Sequence, residues 1–571
     1  MVASLVRRAA LAALFTSSFL VPVYADTGSG AYLAGRQAIY DNDYTAAEKY
    51  YAKALKADPE NAALLESVVV ARLSLGEVKR ALPVALAIEE IGLPSQAARM
   101  VINANLVSDG KLDELLSRDP ELQGVGPLVD GLMQGWAHIG QGAMTRAMET
   151  FDEVATQDGL RDFALYHKAL ALASVGDFEG AEEIFSSHNG AVARFSRRAA
   201  LARAEVLSQL DRNADALQFV DDVFAAGSDP SIEGYVARLT AGETLPFTHV
   251  QSAQDGMAEV FFSVAAALSN EAAQNYVLLY VRTAVFLRPG HVDAILLSAE
   301  LLDTLGQYDL AVDAYRMVPA NSSDYHAAEL GRAEVLSRSD KKDAAAEVLQ
   351  TLAAQNPDLP GVHVALADLR RQEEEYKSAI ASYDRAIELT EGNSGGNWFL
   401  HYARGISHER LKQWDQAEAD FRRALELNPD QPQVLNYLGY SLVERREKLD
   451  EALDMIERAV AARPDSGYIV DSLGWVLFRL GRYDEAVEHM ERAVELMAVD
   501  PVVNDHLGDV YWAVGRAREA EFQWKRALSF IDPADTDGEA DPERIRRKLE
   551  IGLDAVLAEE GAEPLKVANG N

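Results

Sequence analysis

Along most of the chain, apolar residues return every three or four positions with charged residues between them. Each segment of about a dozen residues therefore carries one apolar face, the period of an amphipathic helix rather than of a strand. No stretch alternates in the strand manner, so the pattern predicts an all-α protein. Small residues mark the segments at a fixed interval. Gly405, Gly439, Gly474 and Gly508 are spaced by 34, 35 and 34, and Ala424, Ala459, Ala493 and Ala527 by 35, 34 and 34. Prolines close successive units at Pro357, Pro429, Pro464, Pro501 and Pro533. Such self-similarity predicts one helix pair per unit, with a Gly or Ala where the two helices cross closely. One pair buries too little to stand alone, so stacked pairs must share a continuous core.

These residues resemble the tetratricopeptide repeat. Leu438-Gly439, Leu473-Gly474 and Leu507-Gly508 sit near the middle of first helices, and Ala417, Ala452, Ala486 and Ala520 fall in the second helices, followed by Phe421, Ile456, Met490 and Trp524. Gly405 pairs with Ala417, and near the N-terminus Gly35 pairs with Ala47, Tyr51, Ala54 and Pro59. With Ala in place of Gly, the pattern continues upstream through Ala299, Ala333 and Ala367. Unit 432–464 carries one extra residue, assigned to a longer turn at Lys448-Leu449-Asp450. The resemblance implies a right-handed superhelix of stacked antiparallel helix pairs in two arrays. An irregular array is expected over 26–227 and a regular one over 257–534. Between them, the stretch 228–256, with Pro230, Gly234, Gly242, Pro246 and Gly256, reads as a linker or hinge loop. Residues 535–571 read as a capping helix and tail.

Composition narrows the function. The 571 residues hold 48% hydrophobic and 25% charged side chains, ordinary for a soluble chain. With 54 Lys and Arg against 90 Asp and Glu, the net charge of −36 repels phosphate backbones and anionic lipid, which argues against nucleic acid as a partner. There is no cysteine, so disulfides, thiol nucleophiles and Cys-ligated metals are excluded. Arg7 and Arg8 precede an apolar run from Ala9 to Val23 that ends Val23-Tyr24-Ala25, which predicts a secretory signal over 1–25 cleaved after Ala25, a periplasmic mature chain and no stable membrane anchor.

Catalytic motifs are imitated rather than built. Gly392-Asn393-Ser394-Gly395-Gly396 fits the G-x-S-x-G string but follows a helix, whereas a nucleophile elbow needs a strand before the serine. Asp26-Thr27-Gly28-Ser29 copies an aspartic-protease tetrad without a second carboxylate or a β scaffold. His401 and His408, seven apart, share a helix face at packing positions and read as structural rather than as metal ligands. No enzymatic activity, cofactor or metal is expected.

What the resemblance leaves is a groove lined by first helices. Counting from each small residue places Tyr402, Ile406, Asn436, Tyr437, Tyr440, Asp471, Ser472, Trp475, Phe478, Asp505, His506, Asp509 and Trp512 on that face. Carboxylate-clamp repeats carry Lys, Asn and Arg at comparable places. Here Asn436, Asp471 and Asp505 stand there, so an aromatic and acidic groove for peptides with apolar and basic side chains is expected. The run from Asp471 to Trp475 and from His506 to Asp509 is similar to Gram-negative envelope adaptors of this family, some of which present substrates to processing proteases. The implied function is an exported, non-enzymatic adaptor or scaffold, its partner an envelope protease or export subunits. The alternative is a structural subunit of an envelope-biogenesis or polysaccharide-export assembly.

Overall fold

A computed structural model describes residues 27–190, 196–224, 230–390, 397–532, 540–562 and 564–565. The segment 1–25 read as a signal, and the glycine-serine string at 392–396, lie outside the described residues. Within them the chain forms 32 helices and no strand. It divides into two compact units, Met1–Val348 and Leu349–Asn571.

In the second unit, five helix pairs follow one another: Pro360–Gln372 with Tyr376–Thr390, Trp398–Arg410 with Trp414–Leu427, Pro432–Glu444 with Leu449–Ala462, Gly467–Arg479 with Tyr483–Leu496, and Pro501–Ala513 with Ala517–Phe530. Two short helices, Pro542–Ile551 and Leu553–Glu559, complete it. Local chemistry sets the boundaries. Asp500 caps Pro501–Ala513 by accepting from the Val502 and Val503 amides at 2.9 and 3.0 Å, and proline at the first helical position gives up an amide that had no helical partner. Gly481 and Gly515, both at φ +78°, turn the chain from first to second helix in a conformation that costs glycine least. Three residues join most pairs, but four, Arg445 to Lys448, join Pro432–Glu444 to Leu449–Ala462. The extra residue fits because Arg446 and Lys448 both take left-handed backbone, at φ +57° and +47°.

Each pair crosses at its small residues. An added Cβ would come 2.7 Å from Phe421 at Gly405, 2.7 Å from Ile456 at Gly439, 2.6 Å from Met490 Cγ at Gly474 and 3.1 Å from Trp524 Cε2 at Gly508. Opposite them Ala417, Ala452, Ala486 and Ala520 are fully buried. A larger residue at either place would hold the helices apart and open the core that Phe421, Ile456, Met490 and Trp524 fill.

The first unit starts the same way: a Cβ added at Gly35 would come 2.9 Å from Tyr51, and Ala47 is fully buried. It then departs from a simple stack. Ala253–Leu268 packs on Pro127–Gly140 and Arg161–Ser174, and Gln274–Leu287 packs on Ala62–Ser74 and Gln96–Ser108, so later helices return to much earlier ones. The stretch 228–256 differs accordingly from the linker expected there. It holds the helix Pro230–Thr240, and the segment after it is bound to Arg197–Gln209: the Leu245 amide donates to Ser208 Oγ (2.8 Å) and the Thr248 amide to Glu205 Oε2 (2.8 Å). Gly256 belongs to the packing too, since a Cβ there would overlap the Trp136 indole. Of the glycines that break the repeat period, Gly256 serves a close approach and Gly242, at φ +76°, a turn after the helix.

Candidate functional site

The residues assigned to the groove of the second unit fall into three neighbouring zones. The first is aromatic and open. Tyr402 meets Tyr437 edge to face (5.9 Å, 88°), and both pack on Phe421, the side chain held against Gly405. Burial pushes the hydroxyls of both tyrosines upward, and Tyr437 donates to Glu409 Oε2 at 3.4 Å. Beyond them lies a cleft of about 340 Å³ lined by Glu409, Trp414, Tyr437, Tyr440, Glu444 and Arg445, among others. The Arg445 guanidinium lies 4.7 Å from the Trp414 ring centre, a cation–π contact that forms one wall. On the same helix Asn436 has a buried Oδ1 with no hydrogen-bond partner among the described residues.

The second zone is a closed stack. Trp475 lies flat between Phe478 (4.9 Å) and His506 (3.9 Å), both at 12°, and its Nε1 donates to Glu444 Oε1 at 2.6 Å. His506 Nδ1 sits 3.1 Å from Asp471 Oδ2, and Ser472 turns its hydroxyl back to the Tyr468 carbonyl. Burial opposes the imidazolium of His506, but the Asp471 carboxylate, reinforced by Asp505 and Asp509, outweighs it and raises the pKa. Trp475 is 8% exposed, so the ring assigned to the groove is already used inside the protein.

The third zone is covered. Lys548, from Pro542–Ile551, is fully buried and donates to both oxygens of Asp505 (2.9 and 2.8 Å) and of Asp509 (2.6 and 2.8 Å). Asp509 also accepts from Trp524 Nε1 at 2.9 Å. Trp512 donates to Asp554 of the last helix and lies against Gly552. Asp505 and Asp509, read from the sequence as groove carboxylates for a basic partner, thus hold a lysine of their own chain. The cause is the helix that follows the last pair: Pro542–Ile551 brings a cation to the two acids. Burial pushes the Asp505 carboxyl upward, with Lys548 pulling it down and Asp509 pushing it further up.

His401 and His408 flank one carboxylate, at 3.3 and 4.0 Å from Asp420, and Arg404 binds both oxygens of that carboxylate at 2.8 and 2.6 Å. Among the described residues, no group of three or more His, Asp or Glu could hold a metal ion.

Glu409, Trp414, Glu444, Arg445 and Lys548 were not anticipated. Trp414 and Lys548 lie outside the first helices on which the sequence count was based, and their partners sit 31 and 43 or fewer residues away, beyond any local pattern. A polar network in the first unit was missed as well. Glu259 receives Tyr166 (2.8 Å), Arg198 (2.7 Å) and His291 (3.1 Å), and Arg198 also reaches Asp293 (2.6 Å). Glu205 likewise gathers His249 (2.8 Å), Thr248 and Tyr235. Burial works against the Glu259 charge, and Arg198 with His291 overcomes it, holding that carboxyl well below its usual range. Every charge in this network has a partner.

Paired helices crossing at small residues with a period near 34 define a helical-repeat protein. The repeat is the tetratricopeptide repeat: the family model matches residues 32–95, 330–394, 402–467 and 444–501, and the chain carries these repeats. A TPR repeat-containing protein of Pseudomonas aeruginosa is 28% identical over 174 residues, 30% of this chain and 28% of that protein. The lipoprotein NlpI homolog of Haemophilus influenzae is 39% identical over 87 residues, 15% of this chain and 26% of that protein. The chain thus aligns with little more than a quarter of either relative's length. The solved Cut9–Hcn1 hetero-tetramer of the APC/C is 15% identical, covering 92% of this chain and 96% of that one, at a TM-score of 0.37. The tetratricopeptide scaffold is suited to binding proteins.

Proposed function

We propose that this protein is an exported, non-enzymatic adaptor that holds a peptide segment of a partner protein on the second unit, with the cleft between Trp414 and Tyr440 as its anchor point. The observation that carries the reading is the contrast among the three zones. Asp505 and Asp509 are neutralised by Lys548 and Trp475 is buried in a stack, whereas an open cleft of about 340 Å³ remains beside Trp414, Tyr437 and Tyr440, with the carboxylates of Glu409 and Glu444 on its wall. Tyr and Trp are the side chains that concentrate binding energy in such clefts. Export to the periplasm rests on the Arg7 to Ala25 segment, and an envelope partner, a protease or export subunits, on the likeness to an NlpI homolog named as a lipoprotein. Among the described residues, no helix is long and apolar enough to cross a membrane.

The test combines crosslinked capture of the mature chain with mass spectrometry, comparing wild type with Tyr440→Ala and Trp414→Ala after confirming unchanged circular dichroism. A partner anchored in the cleft should weaken by about 2 kcal/mol or more on losing either ring. Capture of the same partners at unchanged affinity by both variants would refute the cleft. N-terminal sequencing that returns Met1 rather than Asp26 would refute the export.

A further inference from the structure

Arg282 stands apart among the buried charges of the first unit. It lies on Gln274–Leu287 where that helix meets Ala62–Ser74, and it is 8% exposed. Its Nε donates to the Ser74 carbonyl at 3.0 Å, and no carboxylate among the described residues pairs with it. Arg198 shows what a buried guanidinium ordinarily requires, with Glu259, Asp293 and the His249 carbonyl around it. The end of helix Ala62–Ser74 offers Arg282 only the partial charge of a helix C-terminus, about half an elementary charge, which leaves much of the cation uncompensated. Burial accordingly pulls its pKa down to about 10, with only Tyr44 acting the other way.

Two hydroxyls beside it are also unanswered. Tyr44 Oη and Ser74 Oγ are both buried, and neither has a hydrogen-bond partner among the described residues. Tyr44 opens the helix Tyr44–Ala57, Ser74 closes Ala62–Ser74, and Arg282 comes from Gln274–Leu287, so three elements converge on one spot. The Gly76 turn lies against the same side chain. The three atoms nearest a Cβ placed on Gly76 all belong to Arg282, at 3.8 to 3.9 Å, so the guanidinium edge faces a turn that carries no side chain.

We propose that Arg282, Tyr44 and Ser74 form an oxyanion-binding site whose ligand is a carboxylate. One guanidinium neutralises one negative charge, and its fork matches the two oxygens of a carboxylate, whereas a dianion would be left half compensated. The two hydroxyls donate to the remaining lone pairs. Burial, which pushes Tyr44 up to about 12, keeps that hydroxyl protonated and able to donate. The carboxylate can come from a small free acid or from an Asp or Glu side chain of a protein partner.

Thermal unfolding of the full chain, followed by circular dichroism at constant ionic strength, tests the site. Sodium acetate replaces sodium chloride in one arm, and the blocked peptide acetyl-Gly-Glu-Gly-amide is titrated in the other. Wild type should be stabilised, and Arg282→Met should not respond. A response to acetate at least as strong as to the peptide assigns a free acid; a response to the peptide at about tenfold lower concentration assigns a side chain. Tyr44→Phe and Ser74→Ala keep the shape and should each raise the concentration for half effect about threefold to tenfold. Should Arg282→Met not fold, the Tyr44→Phe/Ser74→Ala double variant carries the test. Indifference of wild type to both probes, or an undiminished response in that double variant, would overturn the proposal.

Discussion

Replacing Lys548 with methionine isolates the charge that holds the C-terminal helices down. Methionine keeps an unbranched stem of similar reach beside Trp524, whose ring centre is 5.8 Å from the ammonium, so packing changes little while four contacts of 2.6 to 2.9 Å to Asp505 and Asp509 are lost. Two buried carboxylates then lose their hydrogen-bonded cation, and only Arg544, 3.8 Å from Asp509, remains beside them. Breaking a buried ion pair from one side costs about 3–5 kcal/mol near neutral pH. The loss should appear as early release of Pro542–Ile551 and Leu553–Glu559, because a repeat array melts locally. Trp512 and Trp524 report it, since their Nε1 groups donate to Asp554 and Asp509. Urea unfolding followed by tryptophan fluorescence would therefore show an early transition in Lys548→Met. The pH dependence has a definite sign. Asp505 already has a raised pKa in the folded state, so its contribution is present below the unfolded carboxylate value of about 3.9 and is lost as pH rises through the folded value. Removing Lys548 raises that folded value further, so the deficit should be largest near neutrality and shrink on acidification. Adding Asp505→Asn and Asp509→Asn should recover much of the loss. A deficit under about 1 kcal/mol, or one independent of pH and unrelieved by the asparagines, would refute the reasoning.

Gly474→Leu should cost about 1–3 kcal/mol, because the new side chain must displace Met490; an unchanged urea midpoint would show that the two helices do not cross there. Gly256→Ala should destabilise the first unit, since its Cβ would overlap the Trp136 indole, and an unaltered thermal midpoint would mean that the return of Ala253–Leu268 onto Pro127–Gly140 is not formed in solution. His506 has a raised pKa in the folded state, so its contribution is full below the unfolded value of about 6.5 and is lost as pH rises through the folded one. Urea midpoints measured on either side of that range should fall with pH in wild type and flatten in Asp471→Asn.

How much of this was legible in the sequence depended on distance along the chain. Gly474 and Met490 are 16 residues apart within one repeat, and the spacing of glycines and alanines exposes such a crossing directly. The Trp475–His506 stack spans one repeat less three residues, so the period brings the two rings near each other without saying that they close a groove. Lys548 has no such cue. Its 43-residue separation from Asp505 crosses the end of the periodic pattern, and a lone lysine in a charged helix looks like every other surface cation until the helix is placed. The repeat spacing assigns both acids to the groove face and carries no sign that Lys548 of the same chain binds them.

The first unit makes the same point more strongly. Tyr166 and Glu259 are 93 residues apart, Arg282 and Ser74 208, and neither pairing recurs at the repeat period among the described residues. A period reveals contacts that recur and is silent on contacts made once. Where the pattern breaks, at Gly242, Pro246 and Gly256, composition alone suggests a loose joint, because the same residues serve turns and close approaches. Trp136 decides between the two, since only a glycine at 256 leaves room for its indole. An acidic chain that buries Arg282 without a carboxylate is the sharpest remainder. It follows from no repeat position, and the absence of a paired acid among the described residues directs the search for a partner to carboxylates that meet the first unit, independently of whatever peptide the cleft of the second unit holds.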